Sequence, residues 1–220
     1  MRRLIALTAI ALSALGLAVA VNPSGAGAAR RVTHTVKTVV RPVTAGGHVA
    51  AGFTLHNQPN HSVNCSAQSP SPGAVSPNIE VCKPLSEYAI ACWKSAVAHR
   101  ALCMRNAKSK DVYQIPRTGA FAPTPIAPAA YRAPLLIKLG DGDYCAIGVG
   151  TAVGTLTTHP SLYGTYGCLR AGYVWSPVTG KHFGVNESNP LWKVRTAPSG
   201  NHQLVTKIVV QAWFVGTRTG

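Results

Sequence analysis

Six cysteines, an even number confined to positions 65 to 168, follow a leader built for export. That pairing restricts the fold more than any other feature. The leader reads "MRRLIALTAIALSALGLAVAVNPSGAGAA": two arginines, an apolar run from Leu4 to Val21, then small residues with Pro and Gly. This is the three-part layout of a secretory signal peptide. Two A-x-A sites are present, Ala18-Val19-Ala20 and Ala26-Gly27-Ala28. The second lies beyond Pro23, where an apolar helix ends, so the signal peptide is expected to span residues 1–28. The competing reading is an uncleaved anchor, since the apolar run is almost long enough to cross a bilayer. The expected location is secreted, extracellular or in the cell envelope.

Outside the cytosol thiols oxidise, so three disulfides are the default. Six cysteines allow fifteen pairings. Nearest-neighbour order gives Cys65–Cys82, Cys92–Cys103 and Cys145–Cys168. Each closes a short loop and restricts the unfolded chain by about 3 kcal/mol in the loop-entropy picture.

The chain carries 21 Lys+Arg against 6 Asp+Glu. Loss of Arg2 and Arg3 with the signal leaves 19 against 6, a net charge of +13. An exported protein so charged is drawn to anionic surfaces, such as wall polymers, acidic glycans or lipid headgroups, with an attraction that weakens as salt rises. The plainer alternative is that the cations only keep the surface soluble. Nucleic acid is not expected as a partner, because export removes it from the cytoplasmic pool and no nucleic-acid motif is present.

The six acids are Glu80, Glu87, Asp111, Asp141, Asp143 and Glu187, and only Asp141 and Asp143 lie close together. They sit in "LLIKLGDGDYCAI", where two apolar runs flank "GDGD", a hairpin-turn signature. A calcium loop needs further oxygen ligands where Tyr144, Cys145 and Ala146 stand.

Residues 29–61 read as a basic, weakly patterned extension that is expected to be partly disordered. Residues 62–114 form a Cys-rich N-terminal half, in which "LSEYAIACW" fits either a short helix or a strand, while "ALCMRN" and "DVYQIP" look like strands. Residues 115–134 hold prolines at 116, 123, 125, 128 and 134, which predicts an extended connector without a central strand. Residues 135–220 are plainer β sequence. Strand candidates are Leu135 to Leu139, Tyr144 to Val149, Tyr163 to Leu169, Gly172 to Trp175, Leu191 to Thr196 and "LVTKIVVQAWFVG". In that last run, alternation puts Leu204, Ile208, Val210, Ala212 and Phe214 on one face, and Lys207 and Gln211 on the other. The expected fold is mainly β: a compact, disulfide-stapled antiparallel domain, or two small β-rich halves joined by the proline connector.

One stretch looks like chemistry. "TYGCLR" resembles the Ser/Thr-His-Gly-Cys-x-Arg/Asn motif of L,D-transpeptidases, wall enzymes whose cysteine thiolate attacks a peptide carbonyl beside a histidine. The resemblance implies Cys168 as nucleophile with His159 as its base. Tyr166 replaces the motif histidine, however, and tyrosine near its ordinary pKa of about 10 is a poor base at neutral pH. Parity opposes the idea as well, because a free Cys168 strands another cysteine. A disulfide is the favoured reading. His56, His61 and Cys65 have spacings that a zinc ion tolerates, but Cys65 has a disulfide partner available. No metal and no cofactor are expected. The four tryptophans lie on or beside apolar runs and read as core residues rather than as a glycan platform.

A second resemblance covers Cys65 onward. "CKPLSEYAIACWKS", "ALCMRN", "IKLGDGDYCAI", "YGTYGC", "NPLWKVRTA" and "VVQAWFVGT" are similar to a group of uncharacterised exported proteins of mycobacteria and related high-GC actinobacteria. That likeness implies export and disulfides and carries no activity. The reading of the whole sequence is a non-enzymatic envelope module that binds an anionic partner. The alternative is a cysteine-dependent wall enzyme using Cys168.

Overall fold

Residues 54–118 close into a small ring of strands before the proline connector begins. The computed structural model describes residues 32–84, 89–148, 153–156, 159–177, 181–198 and 203–219. The expected signal peptide, residues 1–28, and Glu87 lie outside them. Strands β3 (Val63–Pro70), β4 (Glu80–Lys83), β5 (Ala91–Lys94), β6 (Arg100–Met104) and β7 (Asp111–Thr118) follow one another as antiparallel neighbours. The end of β7 then pairs in parallel with β3, which shuts the ring. A further strand, β2 (Thr54–Asn57), lies parallel to the first half of β7.

Alternation along these strands points Val63, Cys65, Cys82, Cys92, Ala101, Cys103 and Ile115 into one buried cluster. The disulfides Cys65–Cys82 and Cys92–Cys103 join adjacent strands there. Sulfur therefore fills an interior too small for a sizeable aliphatic core. The opposite face, with Ala91, Trp93, Leu102, Met104 and Val112, packs into the core of the second ring.

That second ring is built from β8 (Leu136–Leu139), β9 (Tyr144–Ile147), β11 (His159–Cys168), β12 (Tyr173–Pro177), β13 (Trp192–Ala197) and β14 (Val205–Arg218), each antiparallel to the next. Pairing of β14 with β8 closes it into a six-stranded barrel. The short β10 (Val153–Leu156) adds to β11, and β1 (Val36–Thr44) lies parallel to the end of β14. The interior holds Ile137, Leu139, Tyr166, Val174, Trp192, Val194 and Val209. Two barrels with three disulfides thus form one mainly β domain, mostly antiparallel with three parallel pairs. Among the described residues no helix is long and apolar enough to cross a membrane.

Several sequence expectations differ from this architecture. Residues 29–61, read as a partly disordered extension, supply β1 and β2. Thr35 explains part of the order: its hydroxyl donates to Val209 O at 2.6 Å and accepts from Trp192 N at 2.8 Å, pinning the start of β1 between β13 and β14. The connector starts after Thr118 rather than at residue 115. Pro116 falls inside β7, at the point where β2 has ended at Gln114 and β3 starts at Arg117. A missing N–H is tolerated at such a gap in the ladder.

The last strand also breaks its predicted alternation. Val209 is fully buried and Ile208 is exposed, because the register against β8 shifts between Val209 and Gln211. Past the shift Ala212, Trp213, Phe214 and Val215 are all buried. There β14 runs between its own barrel and the small one, so both of its faces are covered.

Gly47 marks where the barrels touch. It has φ +75°, and a Cβ there would lie 2.6 Å from Ala96 N. Only glycine lets the turn after β1 come this close to the small barrel, where Ala96 N donates to Gly47 O at 2.9 Å.

Candidate functional site

Strands β12 and β13 pair only at Tyr173–Ala197 and Val174–Thr196. Farther along they part, and residues 184–188 take the vacated place. Asn186 and Lys193 exchange two main-chain hydrogen bonds, at 2.8 and 3.1 Å. Gly184, at φ +84°, makes the approach possible, since a Cβ there would stand 3.0 Å from Ser176 Cβ. The divergence opens a groove of about 890 Å³ on the outer face of the large barrel.

Local sequence decides what lines it. In β13, Trp192, Val194 and Thr196 turn inward, so Lys193 and Arg195 turn outward into the groove. Among the described residues neither cation forms a salt bridge. Asn186 Oδ1 accepts from Ser188 N at 3.0 Å and from Ser188 Oγ at 2.6 Å, which fixes the segment and leaves the amide Nδ2 hydrogens as donors. Glu187 adds one carboxylate to the lining. Trp175 forms the apolar wall. Its indole N–H donates to Ala197 O at 3.3 Å, and it packs with Leu156, Leu162 and Ala197. Two cations, the amide donors and an apolar wall make a surface that suits an oxygen-rich anion.

The residues singled out for catalysis are arranged for another purpose. Cys168 stands opposite Cys145 in the β9–β11 register and is bonded to it. All six cysteines are paired, as nearest neighbours along the chain, and none is free. The favoured Cys145–Cys168 disulfide is present, so in this structure the Cys168 sulfur is bonded and not a thiolate. His159 starts β11, nine positions away along an extended strand, or roughly 30 Å at about 3.3 Å per residue. Tyr166, which replaces the motif histidine, is buried and donates to Pro134 O at 2.7 Å. Burial, and then the charge of Glu187, push its pKa well above the ordinary value, so it stays a neutral donor.

The candidate metal ligands separate in the same way. Cys65 is in a disulfide, and His56 Nε2 lies 2.9 Å from Asp111 Oδ1 with its ring stacked on Tyr113. Asp143, Cys145 and Cys168 do bring ligand atoms within 4.8 Å of one another. Both sulfurs are bonded to each other, however, and the carboxylate is occupied by main-chain donors.

The "GDGD" stretch is the expected hairpin turn between β8 and β9, with Gly142 at φ +85°. All four tryptophans are at least nine-tenths buried, in keeping with core packing. The sequence reading missed Lys193 and Arg195, although the alternation in "LWKVRTA" was enough to put both on an outer face. Compared with protein-family models, curated proteins and solved structures, the chain matches none.

Proposed function

We propose that this protein is a non-enzymatic, disulfide-stapled module of the envelope or extracellular space, and that it binds an anionic polymer along the groove beside β13. The observation that carries the reading is the Lys193–Arg195 pair. Two cations two residues apart on one strand face, without an acid partner among the described residues, stand over donors from Asn186 and a tryptophan wall. A net charge of +13 once Arg2 and Arg3 leave with the signal supplies long-range attraction to the same class of ligand. Three disulfides suit an oxidising compartment. An acidic wall polysaccharide fits best, since it offers carboxylate or phosphate charges together with hydroxyls that can meet the amide and serine groups.

Co-sedimentation with an insoluble acidic wall polysaccharide tests this. Retention falls steeply between low and physiological salt, and the double variant Lys193→Ala/Arg195→Ala weakens it by about tenfold, as expected for the loss of two charge-assisted contacts. Lys110→Ala, on the small barrel, serves as the control and changes little. Retention that ignores salt, or a double variant that binds like the parent, would overturn the reading.

A further inference from the structure

A second concavity lies where the barrels meet, away from the groove. It has a volume of about 620 Å³, within the range of small-molecule sites. Its walls come from the end of β1 and of β14, the Ser76–Asn78 loop, β5, and connector residues 121–123. The turn at Gly47 holds this seam closely, through the bond from Ala96 N described above.

The hydrogen-bonding state of the wall is one-sided. Thr44 Oγ1 accepts from His48 N at 3.2 Å, Ser76 Oγ accepts from Thr217 N at 3.2 Å, and Thr217 Oγ1 accepts from Trp93 Nε1 at 3.2 Å. A hydroxyl has one hydrogen to give. Among the described residues none of these three hydrogens is given. Asn78 repeats the pattern, because its Oδ1 accepts from Thr124 N at 3.0 Å and its Nδ2 hydrogens remain. Lys94 stands at the rim, and among the described residues no carboxylate lines the cleft. The remaining surface is apolar and includes Trp93, Phe121, Pro77 and Pro123.

These donors, on half-buried hydroxyls and an exposed amide, stay open to a ligand whose polar end only accepts. An ionised carboxylate is such a group, with about four lone-pair sites and a charge that complements Lys94. We propose that the cleft between the barrels binds a carboxylate attached to a compact apolar body. The carboxylate meets the Ser76 and Thr217 hydroxyls and the Lys94 ammonium, and the apolar body lies against Phe121 and the prolines. Two sources offer this chemistry: a free aryl or alkyl acid, and the C-terminal residue of a peptide.

Titration calorimetry on the full chain separates the possibilities. The probes are 3-phenylpropionate, N-acetyl-Ala-Ala-Phe with a free C-terminus, and the primary amide of each. Saturable one-to-one binding of the acids is expected, with each amide weaker by about tenfold or more. Lys94→Gln, at an exposed position, and Ser76→Ala should each weaken the acids by about fivefold to tenfold. The tighter of the two acids identifies the source. Lys193→Ala/Arg195→Ala leaves acid binding unchanged, which keeps this site separate from the polymer groove. Amides that bind as well as acids, variants without effect, or no binding of either acid at about 10 mM would each overturn the proposal.

Discussion

Asp143 Oδ2 accepts the main-chain N–H of Ala171 at 2.7 Å, tying the turn that leads into β9 to the turn that leads into β12. The same carboxylate accepts from Arg170 N at 3.0 Å and from Tyr144 N at 2.8 Å. It is buried beside the Cys145–Cys168 bridge, so the two hairpins are joined by a covalent bond and by main-chain-to-carboxylate hydrogen bonds side by side.

Removing that carboxylate leaves three main-chain donors without their acceptor. At about 1–3 kcal/mol for each buried unsatisfied group, relieved in part by water, Asp143→Ala should lose about 3 kcal/mol in urea unfolding. Asp143→Asn keeps one acceptor oxygen and should lose less. A loss below about 1 kcal/mol for the alanine variant would show that solvent replaces the carboxylate freely.

The Cys145–Cys168 bridge closes a separation of 23 residues. Its entropic contribution is about 3 kcal/mol, and Cys145→Ala/Cys168→Ala should lose about that amount. Folded protein carrying this pair of changes should still bind acidic polysaccharide as the parent does. Loss of a measurable wall-polymer-cleaving or cross-linking activity in the variant would instead restore a chemical role for Cys168.

Glu80 is fully buried inside the small barrel, where its Oε1 accepts the Thr124 hydroxyl at 2.5 Å and its Oε2 has no hydrogen-bond partner. Burial raises its pKa, and the Thr124 bond and the Arg117 charge offset this only in part. A raised folded-state pKa means that stability is fully present below the unfolded value, near pH 4.3, and is lost as pH climbs through the folded value. Glu80→Gln imitates the protonated form. Its melting temperature should match the parent near pH 4 and exceed it at neutral pH; equal melting temperatures at both would contradict this account.

Asp141 titrates in the other direction. The hydrogen bond from Lys207 Nζ at 2.5 Å, and then the one from Asp143 N, hold its carboxyl below the ordinary value. Its contribution is therefore present above about pH 4 and lost as acid drives pH down through the lowered folded value. Lys207→Met should flatten the acid limb of a stability–pH curve and lower neutral stability by the same amount, which is small because the pair is solvent-exposed. An unchanged acid limb would remove the ion pair from the explanation.

Local pattern in the sequence was sufficient for the elements that local pattern controls. "GDGD" between apolar runs specifies the β8–β9 hairpin, and alternation marks β11 to β13. Cysteine order anticipates the pairing found. What remained hidden depends on partners distant in the chain. The parallel docking of β1 on β14 joins residues about 175 positions apart in sequence, and nothing within residues 29–61 signals it. Alternation puts Ile208 and Val210 on one face with Ala212 and Phe214, because no strand-by-strand rule reveals a register shift against β8. The groove arises because residues 184–188 replace β12 beside β13, so its existence is a property of the assembled sheet, although its two cations were visible in the strand itself.

The position of β14 fixes an order of assembly. A polypeptide emerging amino end first has every strand of the small ring, and four of its six cysteines, in hand by Thr118. The large ring has no such prefix: without residues 205–218 it lacks its closing stave, and β1, among the earliest segments to emerge, has nothing to lie against. Oxidation of the first two cystines can thus run ahead, while β1 must wait until the last strand is in place.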